Sequence, residues 1–112
     1  MSDEIPDKMR GFETGARRDT AEGKPCMALI PHDELERILI HYTNGAEQYG
    51  KNNWTKGMPL SELYNSAHRH LQKWWKGETD EDHLAATIWN LLGIMWTERR
   101  KPEMDDRGEF PR

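Results

Sequence analysis

The chain has 112 residues, enough for one domain and one core, with 35 % hydrophobic and 32 % charged residues and a formal charge of −4. The acidic balance argues against a binder of nucleic-acid polymers, which would show a basic face. Cys26 is the single cysteine, which excludes an intramolecular disulfide, and there is neither a signal-type segment nor an apolar run of roughly 18 residues. These bounds predict a soluble, cytoplasmic protein with no membrane partner, while leaving phosphate ligands open, because a metal held by carboxylates can recruit them.

Apolar residues concentrate between Leu29 and Trp96, and the flanks are charged and carry glycine and proline. Residues 1–23, with Pro6, Gly11, Gly15 and Gly23 among many charges, read as an irregular arm without strand signals. From Pro31 the pattern turns helical: Leu35, Ile38, Leu39 and Tyr42 follow i, i+3, i+4, i+7 spacing, continued by Ala46 and Tyr49. Pro31 suits the start of this helix and Gly50 its end, although Asn44-Gly45 offers an earlier stop. Residues 50–59, GKNNWTKGMP, form a polar loop around one tryptophan.

A second helix is predicted from about Leu60 to Trp75, with Leu60, Leu63, Tyr64, Ala67, Leu71 and Trp74 on one stripe and Gly77 as the stop. A third should begin near Thr79, where Thr79 and Asp82 have capping-box spacing, and run to about Arg99, before Pro102. Its segment LAATIWNLLGIMW, residues 84–96, is apolar almost all round and is expected to be central. Trp74, Trp75, Trp89 and Trp96 read as core or oligomer interface rather than chemistry. The expectation is an all-α fold of three main helices in one domain, 1–112. An ordered core at 13–98 would lie between flexible tails at 1–12 and 102–112. A core of about 70 residues buries only about 60 % of its unfolded surface, so self-association as a dimer or tetramer is expected.

Several groups could carry chemistry. Asp33 and Glu36 lie three apart at the start of the first helix, and Glu78, Asp80, Glu81 and Asp82 crowd the entry to the third. Hard cations such as Mg²⁺ and Mn²⁺ take oxygen ligands from a few carboxylates together with substrate phosphates. Acidic residues also favour the first turn of any helix, the bland alternative. On the third helix His83, Thr87 and Asn90 form a polar stripe beginning beside the acidic cluster, which must face polar partners or a ligand. Arg69, between His68 and His70, is free to meet a carboxylate or a phosphate, whereas His70 should point inward. The triplet lacks zinc-finger spacing and partner cysteines, which argues against zinc. Arg17, Arg18 and Lys24 in the arm, with Lys51 and Asn53 in the loop after the first helix, are cations and amides that would suit a triphosphate, and an exposed Trp54 could stack on a base. No P-loop or Rossmann glycine pattern is present.

Four segments in order, TGARRD…GKP…LIP (Thr14 to Pro31), GAEQYGKNNWTKG (Gly45 to Gly57), SAHRHLQKWWKGE (Ser66 to Glu78) and DEDHLAATIWN (Asp80 to Asn90), resemble the phage and bacterial dATP/dGTP diphosphohydrolase family. That family is a compact relative of the MazG-like all-α nucleotide pyrophosphohydrolases. The resemblance implies a helical oligomer that uses Mg²⁺ or Mn²⁺ to hydrolyse purine deoxynucleoside triphosphates to the monophosphate and pyrophosphate. Carried over, it implicates Lys24, Asn53, Trp54, Arg69, His70, Asp82, His83 and Asn90. The wider MazG-like pattern pairs ExxE on one helix with ExxD on a later one. Asp33-x-x-Glu36 imitates the first half, and only Glu78 with Asp82, or Asp82 with His83, approaches the second.

The implied roles are Glu36 and Asp82, with Asp33 or Glu78, at the metal, and His83 or a spare carboxylate orienting water. Arg69, Lys24 and Arg18 would hold the outer phosphates, and Asn53, Trp54 and Asn90 the base and sugar. Alanine at Asp82 is expected to abolish turnover without loss of helix. The competing readings are a non-catalytic helical interaction module, and a MazG-like enzyme for another nucleotide.

Overall fold

The computed structural model describes residues 9–112, and the chain divides into two compact units, one up to Ile30 and one from Pro31 to Arg112. In the first unit, strands β1 (Met9–Gly11) and β2 (Arg17–Asp19) form an antiparallel hairpin pairing Met9 with Asp19, Arg10 with Arg18 and Gly11 with Arg17. The Phe12 N–H donates to the Ala16 carbonyl (3.0 Å) and the Gly15 N–H to that of Phe12 (2.9 Å). Gly15 takes φ +90°, where any side chain would be strained. This hairpin corrects the expectation of a purely α fold with a strandless arm. Both strands are three residues long and exposed, with Met9 as their one large apolar side chain, so no apolar alternation exists for a sequence reading to detect. Of the expected N-terminal tail, residues 1–8 lie outside the described residues.

The second unit holds three helices, α1 (His32–Tyr49), α2 (Leu60–Trp75) and α3 (His83–Arg100). Pro31 precedes α1, and Gly50 ends it at φ +94°, its N–H donating to the Ala46 carbonyl; Asn44-Gly45 does not interrupt it. α2 closes in a Schellman arrangement: the Gly77 N–H donates to Trp74 O and the Glu78 N–H to Lys73 O, with Gly77 at φ +83°. That closure leaves Thr79 in the linker and makes Asp82, not Thr79, the cap of α3; its carboxylate accepts from the Ala85 N–H at 3.1 Å.

α2 and α3 form the main packing, and α1 lies against α3. The buried apolar residues are small ones around two leucines: Leu60, Leu63 and Ala67 on α2, and Ala85 and Ala86 on α3. Gly93 permits the approach, since a Cβ there would lie 3.3 Å from Cδ2 of Leu63. α3 does touch both other helices, but its bulky residues do not fill the core. Leu91 and Met95 are 49 % and 62 % exposed, while Thr87, Asn90 and Thr97 are buried. The all-round apolar pattern therefore reflects a close-packed small-residue face and a separate bulky outer face.

Residues 102–112, read as a tail from the sequence, contain two 3₁₀ turns, Pro102–Met104 and Arg107–Glu109. Asp106 accepts from the Ser61 N–H (3.0 Å) and from the Ser61 hydroxyl, supplying the first turn of α2 with a cap that its own Pro59 cannot. The Ser61 hydroxyl holds the Asp106 carboxyl below the ordinary carboxylate range. The Arg107 guanidinium, which contacts both oxygens of Asp105, holds that carboxyl well below the ordinary carboxylate range.

Candidate active site

A cleft of about 780 Å³ opens in the second unit, within the range of ligand pockets. α1 supplies Arg37 and His41, the following loop Lys51, Asn53 and Trp54, and α2 supplies Arg69 and His70. Glu81 and Asp82 lie on the α2–α3 linker, and Asn90 projects from α3. Seven residues predicted from the sequence therefore meet here: Lys51, Asn53, Trp54, Arg69, His70, Asp82 and Asn90.

Arg37 and Asp82 are joined by two hydrogen bonds, from Nε at 2.9 Å and from Nη2 at 2.8 Å. The guanidinium lowers the Asp82 carboxyl, and the pairing raises Arg37. With Ala85 N–H also on Asp82, both of its oxygens are occupied. Lys51 and Arg69 differ: among the described residues neither makes an ion pair. These two cations at the cleft are the groups available to a polyanion.

Trp54 is half-buried rather than freely exposed. Its ring meets Trp96 edge-on at 4.9 Å and Tyr42 at 6.1 Å, and Tyr42 in turn meets Trp89 at 5.9 Å. This aromatic wall is fixed before any ligand arrives, and burial pushes the Tyr42 phenol up. The polar stripe of α3 divides in two. Thr87 donates to the His83 carbonyl (2.8 Å) and the Asn90 amide N–H₂ to the Ala86 carbonyl (2.8 Å), both within their own helix. Asn90 keeps its carbonyl oxygen, an acceptor, at the cleft.

His83 behaves differently. Only 2 % exposed, it places Nε2 2.7 Å from Oδ1 of Asp80 and Nδ1 3.0 Å from Nδ1 of His70. Glu81 Oε1 lies 3.2 Å from the same atom of His70 and 3.7 Å from that of His83. The hydrogen bond from His83 lowers the Asp80 carboxyl, which is then ionised and can only accept. His83 Nε2 is therefore the donor, and in the neutral ring Nδ1 presents its lone pair toward His70. Burial lowers the His70 imidazole, Glu81 opposing and His83, Lys73 and His41 adding to the shift.

The expected carboxylate ligands do not assemble. Asp33, Glu36 and Glu78 are exposed and none lines the cleft. Among the described residues, the metal-capable group whose ligand atoms converge is His70, Glu81 and His83. Arg18 on β2 and Lys24, whose N–H closes a turn onto Ala21 O, belong to the first unit. Sequence reasoning missed Arg37, His41 and the specific role of Glu81. Arg37, His41 and Asn44 have i, i+4, i+7 spacing, a polar stripe that could have been read beside the apolar one on α1.

No solved structure matches the chain. The chain is 28 % identical over 99 residues to a dATP/dGTP diphosphohydrolase of Salmonella phage PMBT28, covering 84 % of its own length and 33 % of that relative. It thus spans about a third of the relative's length. Residues 14–107 match the family described as dATP/dGTP diphosphohydrolase, N-terminal, a span that takes in the hairpin strand β2, all three helices and every residue lining the cleft; the chain belongs to that family.

Proposed function

We propose that the cleft hydrolyses purine deoxynucleoside triphosphates, dATP or dGTP, to the monophosphate and pyrophosphate with a divalent cation, Mg²⁺ or Mn²⁺. The observation that carries this reading is the meeting, in one cleft, of two cations without ion-pair partners among the described residues, a wall of packed aromatic rings and the Glu81 carboxylate against two imidazoles. The family match and the name of the phage relative supply the substrate class. A phage relative also suits a role in remodelling the deoxynucleotide pool of a bacterial host's cytoplasm.

Arg69 and Lys51 hold the outer phosphates, where charge-assisted bonds to the departing pyrophosphate strengthen as its charge grows. Asn53 and the free carbonyl of Asn90 meet the sugar and the purine edge, against the side of Trp54. Of the cleft carboxylates Glu62, Glu81 and Asp82, Asp82 is committed to Arg37 and Glu81 is the one that converges with His70 and His83, so Glu81 would hold the cation beside the phosphates. When bound, the cation neutralises phosphoryl oxygens and acidifies a water. Glu81 and His70 lie where they can orient that water and accept its proton. The half-exposed Leu39, Ile40, Leu91 and Met95 support self-association, as a dimer or tetramer that covers them.

The test is pyrophosphate release from a panel of deoxy- and ribonucleoside triphosphates with Mg²⁺, with Mn²⁺ and with EDTA. Metal-dependent release confined to dATP and dGTP is the expected result. Release from a pyrimidine or damaged nucleotide instead moves the substrate, and silence from folded protein rejects the enzyme reading.

A further inference from the structure

Resting on the proposed metal-dependent function, the same cleft also offers a site for a second cation, distinct from the Mg²⁺ or Mn²⁺ that accompanies the triphosphate. The geometry points to a three-ligand site for a borderline first-row cation of the Zn²⁺ or Co²⁺ type, formed by Nδ1 of His70, Nδ1 of His83 and Oε1 of Glu81. Its remaining position opens to the cleft, which His70 and Glu81 both line.

Three observations converge. The donor atoms stand 3.0, 3.2 and 3.7 Å apart. Two ligands on a tetrahedral ion, at bond lengths of about 2.0–2.1 Å, are separated by about 3.3 Å. The triangle is therefore already close to coordination spacing, with shifts of a few tenths of an ångström required. Asp80 lies behind His83, on Nε2 at 2.7 Å, and this carboxylate–histidine pairing orients the ring so that the other nitrogen faces the site. A structural hydrogen bond between two imidazoles requires neither Glu81 in front nor Asp80 behind. Finally, the ring of His83 is buried and held at the start of α3, next to the cap at Asp82, so the donor is preorganised.

The donor chemistry selects the ion. Mg²⁺ demands oxygen ligands and keeps its waters, whereas imidazole with one carboxylate suits Zn²⁺, Co²⁺ and, less tightly, Mn²⁺. Two nitrogens and one oxygen with an open position is also the pattern of catalytic rather than structural zinc. The His68-Arg69-His70 triplet has no zinc-finger spacing because it contributes a single ligand. The second nitrogen comes from α3, and helix packing rather than sequence spacing joins them.

The experiment is a titration of the metal-stripped protein with Co²⁺ alone, followed by visible absorption. One equivalent should give d–d bands of a four- or five-coordinate ion, displaced by Zn²⁺ and unaffected by excess Mg²⁺. His70→Ala and Glu81→Gln, both at the cleft edge, should weaken binding by about 100-fold or more, and Asp80→Asn by about 10–100-fold. His68→Ala should leave the spectrum unchanged. No such spectrum in the wild type, survival of the bands in His70→Ala, or displacement by Mg²⁺ overturns the site. Because this readout uses no nucleotide, the two readings fail separately. Co²⁺ binding without turnover rejects the proposed activity alone, and Mg²⁺-driven turnover without the Co²⁺ spectrum rejects this site alone.

Discussion

Along the α2–α3 seam the helices meet through Leu63, Ala67, Ala86 and Gly93, and the polar residues there bond within their own helix, Thr87 to His83 O and Asn90 to Ala86 O. At the cleft the same two helices present Arg69 and the carbonyl oxygen of Asn90 with no partner among the described residues, opposite a loop that adds Lys51 and Asn53. One region has spent its hydrogen-bonding capacity on the fold and the other has kept it. Unspent polar capacity beside rigid aromatic rings marks a place where a ligand completes the structure. Asp82 belongs to both regions, since it caps α3 and pins Arg37 at the rim.

Truncation in the seam should produce the largest loss. Leu63 is 2 % exposed, and Leu63→Ala should cost about 2–5 kcal/mol, read as a lowered urea midpoint. Nucleotide affinity of the protein that remains folded should change little; a parallel loss of affinity would show that seam and cleft are not separable. Arg69→Ala makes the converse case. Loss of one charge-assisted phosphate contact, worth about 1.5–3 kcal/mol, should lower kcat/KM by roughly 10–100-fold with the thermal midpoint unchanged. If Arg69→Ala melts lower and turns over normally, Arg69 is part of the fold.

Much of this division was legible in the sequence, and the misses have physical causes. α2 was bounded correctly because its apolar stripe, Pro59 and Gly77 all agree. The start of α3 was displaced because two oxygen-bearing residues, Thr79 and Asp82, compete for the cap, and only the Schellman closure at Gly77 decides between them. The hairpin escaped notice since its strands bury nothing. At the cleft, Asn53, Arg69, His70 and Asn90 were recognisable by residue type beside a helix or loop signal. Arg37 was hidden because a charged residue on an amphipathic helix looks like solvated surface. The carboxylates drew attention by number, but an exposed acidic cluster says nothing about which member converges with an imidazole from another helix. Only packing brings Glu81 to His70 and His83.

Asp82 tests the boundary between the two regions. Asp82→Ala removes the cap and should cost about 1 kcal/mol, whereas Asp82→Asn keeps a good cap and should stay within a few tenths. Turnover discriminates further. Activity lost in the alanine variant and restored in the asparagine variant assigns Asp82 to positioning α3. Activity lost in both means that its charge on Arg37, or its own oxygens, enters the chemistry.

The smallest effect should appear at the acid end of the stability curve. Thr87, Asn90 and Thr97 in the seam do not titrate, but the first turn of α2 depends on Asp106, and the turn after it on Asp105 held by Arg107. Both carboxyls lie lower in the folded chain than the roughly 3.9 of an unfolded aspartate. Below that value the unfolded chain binds more protons than the folded one. The contribution of these contacts is therefore complete above about pH 4 and is lost as pH falls through the folded values. Asp106→Asn retains an acceptor for Ser61 but cannot titrate. Its urea midpoint should match the wild type more closely at pH 3 than at pH 6. A wild-type acid limb that survives unchanged in both Asp106→Asn and Asp105→Asn would place the titrating groups elsewhere, and would separate the C-terminal turns from the stability of the seam they cap.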